Sequence, residues 1–173
     1  MDKKYIELIR TVPDFPVKGI NFFDWMPVMG CPDALSMLID DMLELVKGGN
    51  FTKVAALESR GYLLGLPMAE RLGIGFVPVR KQGKLPGKCL RQEYLLEYGN
   101  DAIEIQEDAI RNDDRVLIVD DLLATGGTMN AANELIARIT PNITDAFFIE
   151  LTDIGGGQKL KYPYCSLLKM EEK

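Results

Sequence analysis

Apolar positions recur along this chain with two periods, and the alternation between them outlines a fold. Tyr5, Ile6, Leu8 and Ile9 fit a short amphipathic helix over residues 2–11 that stops before Pro13, and Pro13 to Pro16 form a turn-rich connection. Leu35, Leu38, Ile39, Met42, Leu45 and Val46 recur at helical spacing over 33–47, with Pro32 in the first turn and Gly48-Gly49 closing the segment. A short apolar strand follows at Lys53–Leu57, then a helix over 62–72 that ends at Gly73 despite Pro67 within it, then a strand at 75–79. Residues 94–98 and 102–106 alternate as a β-hairpin turning at Gly99 and Asn100. The unbroken run at 116–119 has the character of a strand covered on both faces. A helix over 128–139, a strand at 146–151, a glycine-rich turn at 155–157 and a strand near 165–168 complete the chain. Strands alternating with helices predict right-handed βαβ units: an α/β fold, with a central mostly parallel sheet flanked by helices. In such sheets ligands bind beyond the carboxyl ends of the strands.

Composition narrows the chemistry. The 173 residues contain no repeat, low-complexity tract or linker, so residues 1–173 are read as a single domain. Histidine is absent, which removes Ser-His-Asp and Cys-His catalysis and leaves carboxylates, lysines, arginines and backbone amides. Cys31, Cys89 and Cys165 have neither disulfide nor metal-ligand spacing. No apolar run approaches the roughly 18 residues a membrane span requires, and the first residues carry no signal-peptide pattern, so a cytoplasmic protein without a membrane partner is expected. The net charge of −6 argues against nucleic acid. Arg80, Lys81, Lys84, Lys88 and Arg91 run against that balance, in a stretch of twelve residues with no acid. Such a segment is what a small polyanion would need, but charge alone favours a solvated loop.

Three strand ends carry candidate chemistry. After 116–119 come Asp120 and Asp121, then Leu122-Leu123-Ala124-Thr125-Gly126-Gly127-Thr128 opening a helix. Gly126 and Gly127 allow a sharp turn whose amides converge on one anion. The helix aims its positive end at the same point, and Thr125 and Thr128 add hydroxyl donors. Asp120 and Asp121 lie where acceptors can hold vicinal ribose hydroxyls. The plainer alternative is a capped helix after a tight turn, one of these acids serving the helix start. No GxxxxGK[ST] or GxGxxG occurs. At the end of Lys53–Leu57, Glu58-Ser59-Arg60-Gly61 offers a guanidinium and a flexible glycine, suited to phosphate or to an Arg60–Glu58 pair. Arg80-Lys81-Gln82-Gly83-Lys84-Leu85-Pro86-Gly87 follows the strand at 75–79. One cradle and two cationic groups suit a ligand carrying both a monophosphate and a pyrophosphate.

Asp120-Asp121 with residues 124–128 resembles the motif that binds phosphoribosyl pyrophosphate (PRPP) in type I phosphoribosyltransferases. Glu58-Ser59-Arg60-Gly61, Val77-Pro78-Val79-Arg80-Lys81, Gly83-Lys84-Leu85-Pro86-Gly87 and Leu96-Glu97-Tyr98-Gly99 look specifically like the adenine phosphoribosyltransferase branch. The likeness runs from Pro13 to about Gly156. It implies the type I fold, with a small N-terminal hood over about 1–30 that binds the base and a mobile hairpin lid over 80–105. It implies transfer of the phosphoribosyl group from PRPP to adenine, giving AMP and pyrophosphate for purine salvage, usually by a homodimer. Ala124, Thr125, Gly126, Gly127 and Thr128 would hold the 5′-phosphate, Asp120 and Asp121 the ribose hydroxyls, and Ser59, Arg60 and Gly61 the pyrophosphate. Arg80, Lys81, Lys84 and Tyr98 would close over it, with Mg²⁺ held mainly by PRPP oxygens and water. Relatives that use hypoxanthine or guanine carry an Asp where Ala124 stands. The adenine enzymes bring a Glu from the lid instead, a role that Glu97 fits. Asn21, Phe22 and Phe23 would form the adenine pocket, with Phe22 stacking on the purine. Two departures stand out: the family commonly has Phe-Arg-Asp where this chain has Phe22-Phe23-Asp24, and a small aliphatic residue where Asn21 stands. These leave open another purine or an analogue as substrate; a PRPP-sensing regulator without catalysis and a protein binding some other sugar phosphate are separate alternatives.

Overall fold

The N-terminal apolar pattern is helical for one turn only. In the computed structural model, which describes residues 3–96 and 99–171, α1 (Lys4–Glu7) gives way to β1 (Arg10–Pro13), which pairs antiparallel with β2 (Asn21–Asp24). The expected helix over 2–11 is therefore short. Arg10 pairs across the ladder with Asp24, and this cross-strand ion pair favours the extended form over the helix. Tyr5 is fully buried, and its hydroxyl donates to Asp41 at 2.5 Å, which anchors α1. After β2 the chain makes a short α2 (Met26–Met29) and then α3 (Pro32–Leu45), which buries Ala34, Leu38, Ile39 and Met42.

The α/β body follows: β3 (Lys53–Leu57), α4 (Arg60–Leu72), β4 (Gly75–Lys81), β5 (Cys89–Leu96), β6 (Gly99–Gln106), β7 (Val116–Leu123), α5 (Gly127–Ala137), β8 (Ile143–Leu151) and β9 (Tyr164–Met170). Gly73 closes α4 in the left-handed conformation, at φ +66°. Leu96 pairs with Gly99, so Gly99 and Asn100 belong to the returning strand of the hairpin and not to its turn. β7 is twice the length the apolar run suggested, because its ladder with β8 continues through Asp120, Leu122 and Leu123. A strand's end is set by its partner, and the acids did not reveal that.

The sheet has seven strands in the order β5-β6-β4-β3-β7-β8-β9. β4, β3, β7, β8 and β9 run parallel, and the β5-β6 hairpin joins antiparallel at the β4 edge. Alternate residues feed two cores. Val54, Ala56, Leu117 and Val119 pack with Leu38, Ile39 and Met42 of α3 and Leu64 and Met68 of α4. Ala55, Leu57, Val116 and Ile118 pack on the other side with Leu135 and Ile136 of α5 and Ile103 and Ile105 of β6. Covering both faces explains the absence of polar residues at 116–119, since each large side chain there contributes about 1.5–3 kcal/mol by burial. From β3 the chain moves to β4 on one side and later returns to β7 on the other. This change of direction opens a crevice outside the carboxyl ends of β3 and β7.

Candidate active site

Residues 124–128 join β7 to α5 and line a cavity of about 110 Å³ together with Asp120, Leu122, Leu123, Met129 and Phe147. Gly126 sits at the cap position of α5 with φ +77°, and no side chain caps the helix start. The first amides of α5 therefore face a cradle whose own side chains do not fill it. The cradle is held from behind by backbone. A Cβ on Gly156 would fall 2.0 Å from the carbonyl oxygen of Ala124, and one on Gly126 would fall 3.0 Å from that of Gly156. Asn130 Nδ2 donates to the Lys159 carbonyl at 2.9 Å and ties α5 to the same turn. The glycine-rich stretch at 155–157, read as a plain turn, is the buttress of the loop at 124–128.

The two aspartates differ. Asp120 lines the cavity, and its Oδ1 accepts the Asp121 amide at 3.0 Å. Burial, and next the neighbouring Asp121 carboxylate, push the Asp120 carboxyl well above the ordinary range. Asp121 is 3% exposed. Its Oδ2 accepts the indole N–H of Trp25 at 2.7 Å and lies 2.9 Å from Arg60 Nε. Gly61 lets the start of α4 approach β7, since a Cβ there would meet the Val119 carbonyl oxygen at 2.8 Å and Asp120 Oδ1 at 3.0 Å. Exposed Ser59 stands just before α4 and makes no side-chain cap bond.

The expected pyrophosphate cations are all engaged with internal acids. Glu58 does not pair with Arg60. Its Oε2 receives Arg80 Nε at 2.9 Å, and its Oε1 receives Lys84 Nζ at 3.1 Å and the Lys81 amide at 2.8 Å. Burial alone would raise the Glu58 carboxyl, but these donors hold it below its usual value. The Glu58–Ser59 peptide is cis. Lys81 Nζ pairs with Asp101 and donates to the Tyr94 hydroxyl at 2.7 Å. Half-buried Asn21, Phe22 and Phe23 form most of β2. Phe22 lies under the Arg60 guanidinium at 5.3 Å, with Phe15 edge-on at 5.2 Å. The segment expected to bind the base thus touches the segment expected to bind pyrophosphate. Glu97 and Tyr98 lie outside the described residues.

Sequence reading brought together the right strand ends but missed the partners: Trp25, Glu58 as a hub, Asp101, Tyr94 and Gly156. An acid directly after the apolar run 53–57 was the signal for Glu58. The single tryptophan one residue past Asp24 was a signal for Trp25.

Fold and site define a class: an α/β protein with a glycine- and threonine-rich loop, suited to a phosphate, at the switch point of its sheet. Comparison with known proteins agrees and goes further. The family model described as phosphoribosyl transferase domain matches residues 28–165. The adenine phosphoribosyltransferase of Parvibaculum lavamentivorans is 48% identical over 162 residues, 93% of this chain and 91% of its own. The crystal structure of the enzyme of that name from Thermoanaerobacter pseudethanolicus superposes with a TM-score of 0.93 at 46% identity, covering 97% of this chain and 99% of that one. The Saccharomyces cerevisiae enzyme, solved with D-2,5-dideoxy-2,5-imino-altritol 1,6-bisphosphate and adenine, gives 0.91 at 40% identity and 96% and 97% coverage. The chain belongs to the phosphoribosyltransferase family, within its adenine phosphoribosyltransferase branch.

Proposed function

We propose that this protein transfers the phosphoribosyl group of PRPP to adenine, giving AMP and pyrophosphate. The observation that carries the reading is the uncapped amide cradle at 124–128, with Asp120 on its rim and Arg60 one strand away. The cradle takes the 5′-phosphate, Asp120 holds ribose hydroxyls with Asp121 behind it, and Ser59, Arg60, Arg80, Lys81 and Lys84 receive pyrophosphate. For that, Arg80 and Lys84 must turn from Glu58, and Lys81 from Asp101, toward the arriving anion. The yeast relative's complex with adenine and a bisphosphate supports this substrate pair.

Catalysis rests on positioning and charge. Cleavage at the anomeric carbon runs ahead of attack by adenine N9, and the guanidinium and ammonium groups stabilise the departing pyrophosphate. Asp120 on the cavity rim, with Asp121 next to it in the chain, would stand near a divalent cation held mainly by phosphate oxygens and water. Mg²⁺, when bound, neutralises pyrophosphate oxygens. Gly83 and Gly87, both at φ +79°, lie in the segment that closes as the lid. Glu97 handles the imidazole proton of adenine. The chain works as one domain, with its hood over about 1–30 and its lid over 80–105, in a cytoplasmic homodimer. Among the described residues, no helix is long and apolar enough to cross a membrane.

The test is AMP formation from adenine, PRPP and Mg²⁺, with IMP, GMP and XMP formation assayed beside it because of Asn21 and Phe23. AMP should dominate; a larger rate for another nucleotide would move the base assignment, and no product would remove the reading. Glu97→Gln should cut turnover by roughly 10²-fold or more while PRPP still binds. Unchanged turnover takes Glu97 out of the mechanism.

A further inference from the structure

Asp121 is a buried carboxylate with two donors on a single oxygen, the Trp25 indole N–H at 2.7 Å and Arg60 Nε at 2.9 Å. Trp25 is itself 1% exposed, packed edge-on against Phe148 at 5.7 Å, so its N–H is fixed in direction. Trp25 directly follows β2, whose Phe22 lies under the same Arg60 at 5.3 Å. Arg60 therefore meets the base-side segment twice, once over an aromatic face and once through Asp121.

We propose that Trp25 is a positioning residue for Arg60: its N–H satisfies part of the Asp121 carboxylate and so limits how strongly that carboxylate competes with an incoming pyrophosphate group for the guanidinium. A buried carboxylate must find donors. With the indole N–H present, Asp121 orients Arg60 and shares it. Without that N–H, the guanidinium becomes its main compensation, and an arriving anion must separate a tighter pair. The side chain acts through Asp121 and touches no reacting atom. This inference rests on the proposed reaction, because it takes Arg60 as a ligand of the pyrophosphate.

Trp25→Phe keeps a buried ring and removes the N–H. Because a hydrogen bond to a charged group is at stake, the variant should raise the KM for PRPP and the dissociation constant of Mg-pyrophosphate about tenfold. The KM for adenine should stay within about twofold, since nothing on the adenine side loses a donor. In an Arg60→Lys background, Trp25→Phe should add little, because the guanidinium it positions is gone. A purely structural role for the ring predicts otherwise: both KM values shift together, or only the melting temperature falls, and the two substitutions add. Either pattern overturns the proposal, as does an unchanged pyrophosphate affinity. Mg-pyrophosphate binding by calorimetry reads Arg60 without chemistry. A protein that binds it tightly but makes no AMP from adenine would sink the reaction assigned above and leave this inference standing. A wild-type protein that does not bind it removes both.

Discussion

Asp145 of β8 has no exposed surface, and among the described residues its side chain accepts one hydrogen bond, from Asn133 Nδ2 of α5 to Oδ2 at 2.8 Å. Asp145 Oδ1 and Asn133 Oδ1 are both buried without a partner. A proton on Asp145 Oδ1 would let acid and amide satisfy each other. Burial raises this carboxyl from 3.8 to about 7, against the lowering effect of Asn133. From β9, Cys165 is the titratable neighbour; its Sγ contacts the Asp145 carbonyl, and burial followed by the Asp145 charge pushes its thiol to about 11. The folded protein thus holds a proton that the unfolded chain releases above pH 3.8. Its stabilising contribution is complete below about pH 3.8, declines as pH rises from there to about 7, and is absent above that. The difference between 3.8 and about 7 corresponds to roughly 4 kcal/mol, an upper value. Asp145→Asn, which supplies the N–H permanently, should raise the urea midpoint at pH 8 by clearly more than at pH 4.5. If the variant kept the wild-type pH dependence, Asp145 would not be the group responsible. The sequence shows an acid just ahead of the expected strand at 146–151 and no sign that β9 covers it.

At the scale of elements, the geometry of the loop at 124–128 depends on a turn about thirty residues further along, the distance from Gly126 to Gly156. No side chain makes that contact; two backbones meet, and glycine is required because a Cβ would occupy the same space as Ala124 O. Gly156→Ala should therefore displace the loop and raise the KM for PRPP about tenfold or more, as overpacking costs about 1–3 kcal/mol. Steady-state kinetics with a parallel thermal melt would check this. A normal KM with a lowered melting temperature would show that the turn supports the fold and not the loop. The loop itself was legible in the sequence, since glycine and threonine after an apolar run and two acids describe the cradle directly. Its buttress was not, because glycines at 155–157 read equally well as any turn. The N-terminal strands were missed for a related reason: Tyr5, Ile6, Leu8 and Ile9 suit a helix locally, and only the Arg10–Asp24 pairing makes the following segment extended.

For the whole molecule, the crevice forms because β4 and β7 flank β3, which places three loops distant in sequence at one end of the sheet. A ligand spanning them ties these elements together and binds only the folded form. PRPP with Mg²⁺ at a hundredfold its dissociation constant should stabilise the protein by about 2.7 kcal/mol. Differential scanning calorimetry should show a concentration-dependent rise in melting temperature, and ribose 5-phosphate, which lacks the pyrophosphate, should give a smaller one. Equal shifts would mean that Arg60, Arg80 and Lys84 take no part in binding.

The sequence by itself determined the parallel α/β body, the two-sided burial of its central strands and the tight glycine turn at 124–128, because these follow from periodicity and backbone freedom within a few residues. Only the tertiary structure decided that Asp121 faces Trp25 and Arg60, that Glu58 gathers Arg80 and Lys84, and that Gly156 stands behind Ala124. Those are contacts between segments whose order in the sheet local patterns do not encode. A charge reads the same in sequence whether its partner is the next residue, a distant strand or a ligand.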